Sequence, residues 1–550
     1  MTRRLDSLAD GSHDVLVIGG GIVGACVARD AARRGLTVAL LDRADFGSGI
    51  SWNSLKIVHG GLRSLQRLDV RQARAFVHER RAWLRIAPHL VEPIPFVVPT
   101  RGAGAESALL MRAALALNDT VSGDRNEGIL PSRRIPPGRT LPRAELRALV
   151  PGLFDDYSGG ALFYDAQLYS AERLVHAVLA DAENAGARIV SYAEAVAPLI
   201  VRGVLAGVVA EDRITGERCE VRGAMIVNAA GAGAASVAEL LTGRANAAPH
   251  MSGIALNLML AADRSQSTGF TLRSKSDGHA RRLFVVPWRG RTLVGTAHYE
   301  CERAPQSSAE LEPFVERFVH ELAIAWPARA LTRESVLLVH AGMQPSPHAA
   351  SDSGPPEHRI VDHAAMGVPQ LLTAIGPKLT MARAIAEQLV DLAVSRLGRS
   401  TAPCATATTP LDSAPADDMP IVITNALAAG RMAVPDDVMS HLVHWYGQSA
   451  ALGTLVELVR AEPALGARVT PESPVIVAQL VYAASYEGAT SAEDILMRRT
   501  ELGGTARVTP SARAAAQSAI ERAAAAKIAS ATSAHWPMDP LPGARGSRSL

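Results

Sequence analysis

The most constraining feature of the chain is a glycine-rich segment near its N-terminus. Residues 14–18 (DVLVI) form a short apolar run that is typical of a buried strand. The run leads at once into the G-x-G-x-x-G glycines Gly19, Gly21 and Gly24. Residues 25–34 then predict a helix, and residues 36–41 predict a second strand. This order of strand, glycine turn, helix and strand predicts a Rossmann-type dinucleotide-binding domain.

Each glycine has a physical role in such a turn. Gly19 permits the tight turn, Gly21 lets the backbone approach a pyrophosphate, and Gly24 lets the helix pack closely on the strand. Asp42 ends the second strand, where its carboxylate can accept hydrogen bonds from a ribose 2′-hydroxyl. An acidic residue at this position favours FAD or NAD over NADP. The motif alone leaves FAD and NAD open, although its position at the start of a 550-residue chain favours FAD.

Charge, cysteine content and hydropathy exclude several classes of protein. The formal net charge is only +2, so the chain has no strong field for a nucleic-acid partner. The four cysteines lie far apart with no C-x-x-C spacing, which argues against a disulfide framework or a metal site. We expect no membrane-spanning helix and no signal peptide, and therefore a cytoplasmic protein that can still touch the inner face of the cell membrane.

The segment that follows the second strand narrows the choice of cofactor. Residues 46–66 (FGSGISWNSLKIVHGGLRSLQ) contain small polar residues, then Lys56 and an HGGLR sequence. This segment resembles the flavin-domain signature of FAD-dependent glycerol-3-phosphate dehydrogenases. Further matches follow in the family's order at 226–231 (IVNAAG), 284–296 (FVVPWRGRTLVGT), 374–383 (AIGPKLTMAR), 441–448 (HLVHWYGQ) and 486–500 (YEGATSAEDILMRRT).

The resemblance implies an α/β fold of the D-amino-acid-oxidase type. It would combine a Rossmann-type FAD-binding domain, an inserted antiparallel-sheet substrate domain and a C-terminal helical domain. We expect the FAD-binding domain at 13–85, 165–245 and 340–400, the substrate domain at 86–164 and 246–339, the helical domain at 401–508, and a partly disordered tail at 509–550.

The glycine motif and the resemblance together predict one FAD and a set of residues around it. The predicted cofactor-binding residues are Gly19, Gly21, Gly24, Asp42, Ser54, Lys56, His59, Gly60, Ala195, Val196, Ala230, Gly231, Gly342, Gly376, Leu379 and Thr380.

Oxidising an alcohol to a ketone requires hydride transfer to the flavin, a base for the hydroxyl proton and electrostatic stabilisation. Lys378 is the leading candidate for a functional cation, because the chain contains only four lysines. Arg63 and Arg383 are candidates for binding an anionic group of the substrate, since a guanidinium can grip a phosphate or carboxylate with two hydrogen bonds. His59, His298 and His340 are the candidates for the base, with the positioning of FAD as the alternative role of His59. We expect no metal ion.

The chain departs from the family pattern at several positions that face the substrate. Gln344 stands where the family has Arg, and Ser64 stands where it has Tyr. Ala255 falls near a family His, and the family's G-T-T-D sequence ends here in Ala297-His298. These departures predict that glycerol 3-phosphate itself is a poor substrate and that a related polyol phosphate or sugar acid fits better.

We therefore expect an FAD-dependent dehydrogenase or oxidase that converts a secondary alcohol of a small anionic polyol, or of a sugar phosphate, to a ketone. The electrons would leave to a quinone or another acceptor, and the protein could form a homodimer. Two alternatives stay open. One is an amine or amino-acid oxidase of the same superfamily, and the other is a flavoprotein whose substrate site has decayed.

Overall fold

The computed structural model describes most of the chain. The described residues are 4–65, 69–102, 107–151, 153, 157–261, 267–276, 279–345, 358–376, 378–430 and 432–533. Two sheets with flanking helices and a C-terminal group of helices make up the fold. The α/β class and the three-part architecture expected from the sequence are confirmed.

The first sheet contains the glycine motif. Its strands are β1 (Ser12–Ile18), β2 (Val38–Leu41), β7 (Arg188–Val190), β8 (Ala193–Val201), β9 (Val204–Asp212), β10 (Arg218–Asn228), β16 (Arg359–Asp362) and β17 (Leu371–Ile375). Their order in space is β16-β17-β10-β1-β2-β7, and neighbouring strands from β17 to β7 run parallel. The hairpin β8–β9 pairs with β10 in antiparallel fashion.

Residues 15–18 of β1 are all apolar, as expected for a strand with both faces covered. Val15 and Val17 point into a core shared with helices α2 (Ile22–Arg33), α7 (Ala171–Asn184) and α10 (Ala382–Leu397). Leu16 and Ile18 point to the opposite face, into a core shared with the β8–β9 hairpin and the short helix α1 (Asp6–Ala9). This alternation places the end of β1 and the start of α2 in the middle of a rigid layered domain.

The second sheet is larger and mainly antiparallel. Its strands are β3 (Ile57–Val58), β4 (Val91–Thr100), β5 (Arg139–Pro142), β6 (Gly159–Leu168), β11 (Gly253–Ala261), β12 (Gly269–Ser276), β13 (His279–Trp288), β14 (Arg291–Glu300) and β15 (Val336–Gln344). The order in space is β15-β11-β14-β13-β12-β4-β6-β3, with β5 beside β6. Helix α9 (Ser308–Ala325) covers one face, where Phe318 and Leu322 share a core with Leu256 and Leu258 of β11. The remaining helices of this half of the chain are α3 (Leu62–Leu65), α4 (Val70–Ile86), α5 (Ala108–Val121), α6 (Arg143–Leu149) and α8 (Ala234–Thr242).

The C-terminal part of the chain is helical and has a core of its own. Its elements are α11 (Met419–Ala428), α12 (Asp436–Tyr446), α13 (Ala450–Ala461), α14 (Val477–Tyr486), α15 (Ala492–Asp494), a π-helical turn (Ile495–Arg499) and α16 (Pro510–Ser533). Trp445 and Tyr446 are fully buried in this core. In the described ranges of the chain, no helix is both long and apolar enough to cross a membrane.

The structure places several domain boundaries elsewhere than expected. Strand β15 belongs to the second sheet, so the chain returns to the first sheet after Gln344 rather than at residue 340. Strand β6 continues the second sheet to Leu168, beyond the expected boundary at 165, and β3 joins the same sheet. Helix α16 buries Ala512 and Ala516 in the C-terminal core, so the helical domain extends past residue 508. Residues 534–550 of the expected tail lie outside the described residues.

Candidate active site

The glycine turn has the tight geometry that a pyrophosphate site requires. Gly19 has a φ of +108°, and a Cβ atom there would lie 2.5 Å from the carbonyl oxygen of Ala229. A Cβ atom at Gly24 would lie 1.8 Å from the carbonyl oxygen of Gly19, so α2 can approach β1 this closely only with glycine at that position. A Cβ atom at Gly21 would meet only the Ser51 hydroxyl, at 3.0 Å. The space above Gly21 is therefore open toward the N-terminus of α2.

The start of α2 suits an anion. Gly21 is the N-cap residue and supplies no side chain, and Ser51 accepts the backbone N–H of Ile22 at 2.9 Å. The other amides of the first turn have no partner within the helix, and the helix dipole places partial positive charge at this end. The arrangement fits a dinucleotide pyrophosphate.

Asp42 lies beside the turn at the carboxyl end of β2. One carboxylate oxygen accepts the N–H of Gly20 at 2.6 Å, and the other accepts the N–H of Ala44 at 2.9 Å. Burial raises the pKa of Asp42 to about 6. Each oxygen keeps a second lone pair, so the carboxylate can also accept ribose hydroxyls as the sequence predicted.

Two further predicted cofactor segments lie at the same edge of the first sheet. The N–H of Ala193 donates to the carbonyl of Asp42 at 2.7 Å, which brings the start of β8 to this edge. The register of β8 on β9 pairs Ala195 and Ala197 with consecutive residues and omits Val196, whose backbone therefore leaves the ladder in a bulge. The turn of Ala230 and Gly231 begins where the N–H of Ala229 donates to the carbonyl of Ile18 at 2.8 Å.

The HGG turn after β3 meets the late turn that precedes α10. The N–H of His59 donates to the Thr380 hydroxyl at 3.0 Å, although more than 300 residues separate them. The indole N–H of Trp83 donates to the carbonyl of Thr380, also at 3.0 Å. Two segments that the resemblance assigned to one flavin site are thus joined directly, and Leu379 and Ser54 lie in the adjoining turns.

Asp165, which the sequence did not predict as a site residue, organises this junction. One of its carboxylate oxygens accepts the N–H of Gly60 at 2.7 Å and a guanidinium N–H of Arg80 at 2.9 Å. The other lies 3.4 Å from Nδ1 of His59. Burial alone would raise the pKa of Asp165, but the hydrogen bond from His59 and the charge of Arg80 lower it. The signal available in the sequence was an acidic residue within the mainly apolar strand β6.

Three of the residues that depart from the family pattern are neighbours on one face of the second sheet: Gln344, His298 and Ala255. The other two lie elsewhere, because Ser64 is in α3 and Ala297 enters the core beneath α9. Gln344 and His298 form a hydrogen bond of 2.6 Å between Nε2 and Nδ1. Ala255, on the strand between them, pairs with both His298 and Gly342. The alternate residues of these strands, such as Met343, enter the core beneath α9.

The same face also holds a second polar pair, and residues 50–53 lie against it. The Thr296 hydroxyl donates to the side-chain oxygen of Asn257 at 2.8 Å. The Asn53 amide donates to the carbonyl of Ala341, and a Cβ atom at Gly342 would lie 2.9 Å from Ile50. The two polar pairs described on this face of the second sheet therefore consist of two amides, one hydroxyl and one imidazole, and none of these is a permanently charged group.

The structure corrects the prediction that His340 is the base. His340 is fully buried, and its ring centroid lies 5.3 Å from that of Trp52. Burial and the charge of Lys56 hold the pKa of His340 well below its usual value. The buried ring packs beside Trp52, and neither its burial nor its lowered pKa favours a role as the base.

The structure also corrects the prediction that Arg383 binds the substrate. Its guanidinium forms two hydrogen bonds with Glu79, at 2.6 and 2.8 Å, and a third with Glu387 at 2.7 Å. Arg383 and Glu79 are both buried. The donors of Arg383 are therefore committed to holding α10 against α4.

The other predicted cations differ in their exposure. Lys378 is exposed, and its ammonium lies 5.2 Å from the ring centroid of Phe76. Lys56 is fully buried and forms an ion pair of 3.2 Å with Glu172. Burial lowers the pKa of Lys56, and Glu172 opposes that effect. The side chain of Arg63, in α3, lies outside the described residues. Gly376 has a φ of +61° at the start of the Lys378 turn.

The glycine turn, the acidic end of β2 and an antiparallel sheet facing them define a dinucleotide-dependent oxidoreductase with a separate substrate domain. The chain matches the family of FAD dependent oxidoreductases over residues 14–392 and the C-terminal domain of alpha-glycerophosphate oxidase over residues 404–529.

Individual relatives give the same assignment. The glycerol-3-phosphate dehydrogenase of Synechocystis sp. is 31% identical over 522 residues, which cover 91% of this chain and 90% of the relative. Glycerol-3-phosphate dehydrogenase 1 of Mycobacterium bovis is 32% identical over 514 residues, covering 91% and 93%. The chain belongs to the family of FAD-dependent glycerol-3-phosphate dehydrogenases, and its cofactor is FAD.

A solved structure shows the same fold. The glycerol-3-phosphate dehydrogenase from Bacillus halodurans, complexed with FAD, matches with a TM-score of 0.70 at 21% sequence identity. The match covers 94% of this chain and 96% of the other. The fold therefore extends through the C-terminal helices as well as the two sheets.

Proposed function

We propose that the protein oxidises the secondary alcohol of a small anionic polyol, similar to glycerol 3-phosphate, to a ketone. The observation that carries this proposal is the junction of His59, Asp165 and Thr380, because it joins the flavin segments and orients a histidine there. Bound FAD would accept the hydride that leaves the substrate carbon. The relatives named above support the substrate class.

The hydrogen bonds divide the proton chemistry between two histidines. When Nδ1 of His59 donates to the Asp165 carboxylate, Nε2 carries a lone pair and can remove the hydroxyl proton of the alcohol. Nδ1 of His298 accepts from the Gln344 amide, so its proton is on Nε2, where it can donate to a substrate oxygen. We propose His59 as the base and His298 as a hydrogen-bond donor.

Lys378, as the exposed cation in the late turn, would stabilise the negative charge that develops during the reaction. Arg63 would bind an anionic group of the substrate. Gly19, Gly21, Gly24, Asp42, Val196 and Gly231 would hold the FAD.

The experiment that tests this function is anaerobic reduction of the bound flavin. The purified protein is mixed with glycerol 3-phosphate, sugar phosphates, uncharged polyols, hydroxy acids and amino acids, and bleaching of the flavin absorbance is followed. We expect bleaching by an anionic polyol. Bleaching by amino acids alone would replace the proposal with an amino-acid oxidase, and FAD that no compound reduces would indicate a decayed substrate site.

We further propose that the electrons leave to a quinone at the inner face of a membrane. Helix α5 supports this, because Leu109, Leu110 and Leu117 are exposed at 77%, 52% and 39%. Flotation with lipid vesicles tests the contact, with Leu109→Glu as the variant that should remain in solution.

We also propose a homodimer, which light scattering would detect.

A further inference from the structure

A carboxylate of the FAD-binding domain is buried beneath two arginines of the C-terminal domain. Asp45 follows β2 and is 1% exposed. Arg499 donates to both of its oxygens, at 2.7 and 2.8 Å, and Arg498 forms a further ion pair with it. Burial alone would raise the pKa of Asp45, but the two guanidinium charges lower it.

The two arginines are themselves held in place within the C-terminal domain. They end the π-helical turn, and Arg499 also donates to the backbone carbonyl of Glu487. Arg498 donates to Asp494 at 2.7 Å, and Asp494 accepts the Tyr192 hydroxyl at 2.6 Å. The guanidinium groups therefore form a preorganised receptor for a single carboxylate.

In the FAD-binding domain, Asp45 begins a loop that covers the glycine turn. We call residues 45–51 the cover loop. The Phe46 ring lies on Gly20, where a Cβ atom would be 2.5 Å from it. The N–H of Gly47 donates to the carbonyl of Gly20 at 3.1 Å. At the end of the loop, Ser51 accepts the first amide of α2. The cover loop is thus one wall of the pyrophosphate site.

We propose that Arg498 and Arg499 are positioning residues that hold the cover loop against the FAD pyrophosphate, so that the C-terminal domain determines how slowly FAD dissociates. The proposal rests on the placement of FAD at the glycine turn proposed above. It assigns a role in cofactor retention to a domain that contributes none of the predicted site residues.

The test compares FAD dissociation from purified variants by the recovery of flavin fluorescence. Arg499→Met should speed FAD dissociation by about 10- to 100-fold, the range by which loss of a group that orients metal ligands weakens metal binding. Arg499→Lys should fall between this variant and the wild type, because an ammonium cannot replace both hydrogen bonds of the guanidinium. The matched control is Arg289→Met, which removes another largely buried ion pair between the sheets and the C-terminal domain, with Glu501. The described partners of this arginine include neither the cover loop nor Glu487.

Circular dichroism and thermal melting establish whether each variant is folded. If Arg499→Met does not fold, FAD dissociation is measured with Asp45→Asn instead. This variant removes the charge but keeps the shape of the side chain, and it should also release FAD faster than the wild type. Unchanged FAD dissociation in the folded variants, or an equal increase in Arg289→Met, overturns the proposal. A wild type that holds FAD but oxidises no polyol contradicts the proposed function alone, whereas a wild type that binds no FAD contradicts the placement itself.

Discussion

The side-chain amide of Gln344 donates to Nδ1 of His298 over 2.6 Å and joins two residues that both depart from the family pattern. They lie on different strands, with Ala255 between them. A neutral amide and an imidazole therefore occupy the part of the substrate face where the family's arginine would bring a positive charge. This pair is the strongest structural reason to expect altered substrate specificity.

Glycerol 3-phosphate should be a poor substrate, and Gln344→Arg should improve it. A charge-assisted hydrogen bond contributes about 1.5–3 kcal/mol, so we expect kcat/KM for the phosphate ester to rise about 10- to 150-fold. Stopped-flow flavin reduction with glycerol 3-phosphate measures the change. Gln344→Met is the control, because it removes the hydrogen bond without adding charge. Wild-type turnover that Gln344→Arg does not increase would contradict this prediction.

Gly21 and Gly24 should respond differently to an added side chain. Gly21→Val should keep the fold but abolish FAD binding, because its side chain would fill the open space at Gly21 where we propose that the pyrophosphate binds. Gly24→Ala should lower the melting temperature of the apoprotein as well, since its Cβ atom would overlap the carbonyl of Gly19. Flavin content and thermal melting separate the two effects. A Gly21→Val protein that retains FAD would remove the glycine turn from the site.

Lys378→Met should retain FAD and slow its reduction by substrate. Loss of one preorganised electrostatic contact costs about 10²–10³ in rate. Lys378→Arg should not restore the full rate, because a planar guanidinium places its donors differently from a compact ammonium. Lys527→Met, in the C-terminal helix, is the matched control for removing a lysine. Equal rates in wild type and Lys378→Met would exclude Lys378 from the chemistry.

Mild acid should destabilise the contact between the C-terminal domain and the sheets. Burial lowers the pKa of His444 to about 4 and that of His89 to about 3. Their unfolded pKa is about 6.5, so the unfolded state takes up protons first and stability falls as the pH drops from about 6.5 toward 4. For His444 alone the full loss is about 3 kcal/mol, of which about 2 kcal/mol occurs between about pH 7 and pH 5. Melting curves at pH 7 and 5 measure it. His444→Gln should flatten this dependence, and an unchanged slope would show that the proton uptake occurs elsewhere.

The sequence by itself determined the nucleotide-binding half of the protein. The DVLVI run, the three glycines and Asp42 lie within one continuous segment, where backbone sterics and strand periodicity decide the structure locally. Substrate-domain strands and C-terminal helices were also recognisable, because their segments resembled those of a known family. The boundaries of these domains were predicted less accurately. Strand β15 belongs to the second sheet because it pairs with β11, and α16 belongs to the helical domain because it packs in that core. Neither contact can be read from the local sequence.

Only the tertiary structure decided which charged and polar residues are free to act. Arg383 and His340 were equivalent to other candidates in the sequence, but Glu79 neutralises the first and Trp52 buries the second. Asp165 gave no local sign of contacting His59, since the two are 106 residues apart and meet only when β6 pairs with β3. Burial and pairing are properties of distant contacts, and these contacts form only when the sheets and the C-terminal helices have assembled.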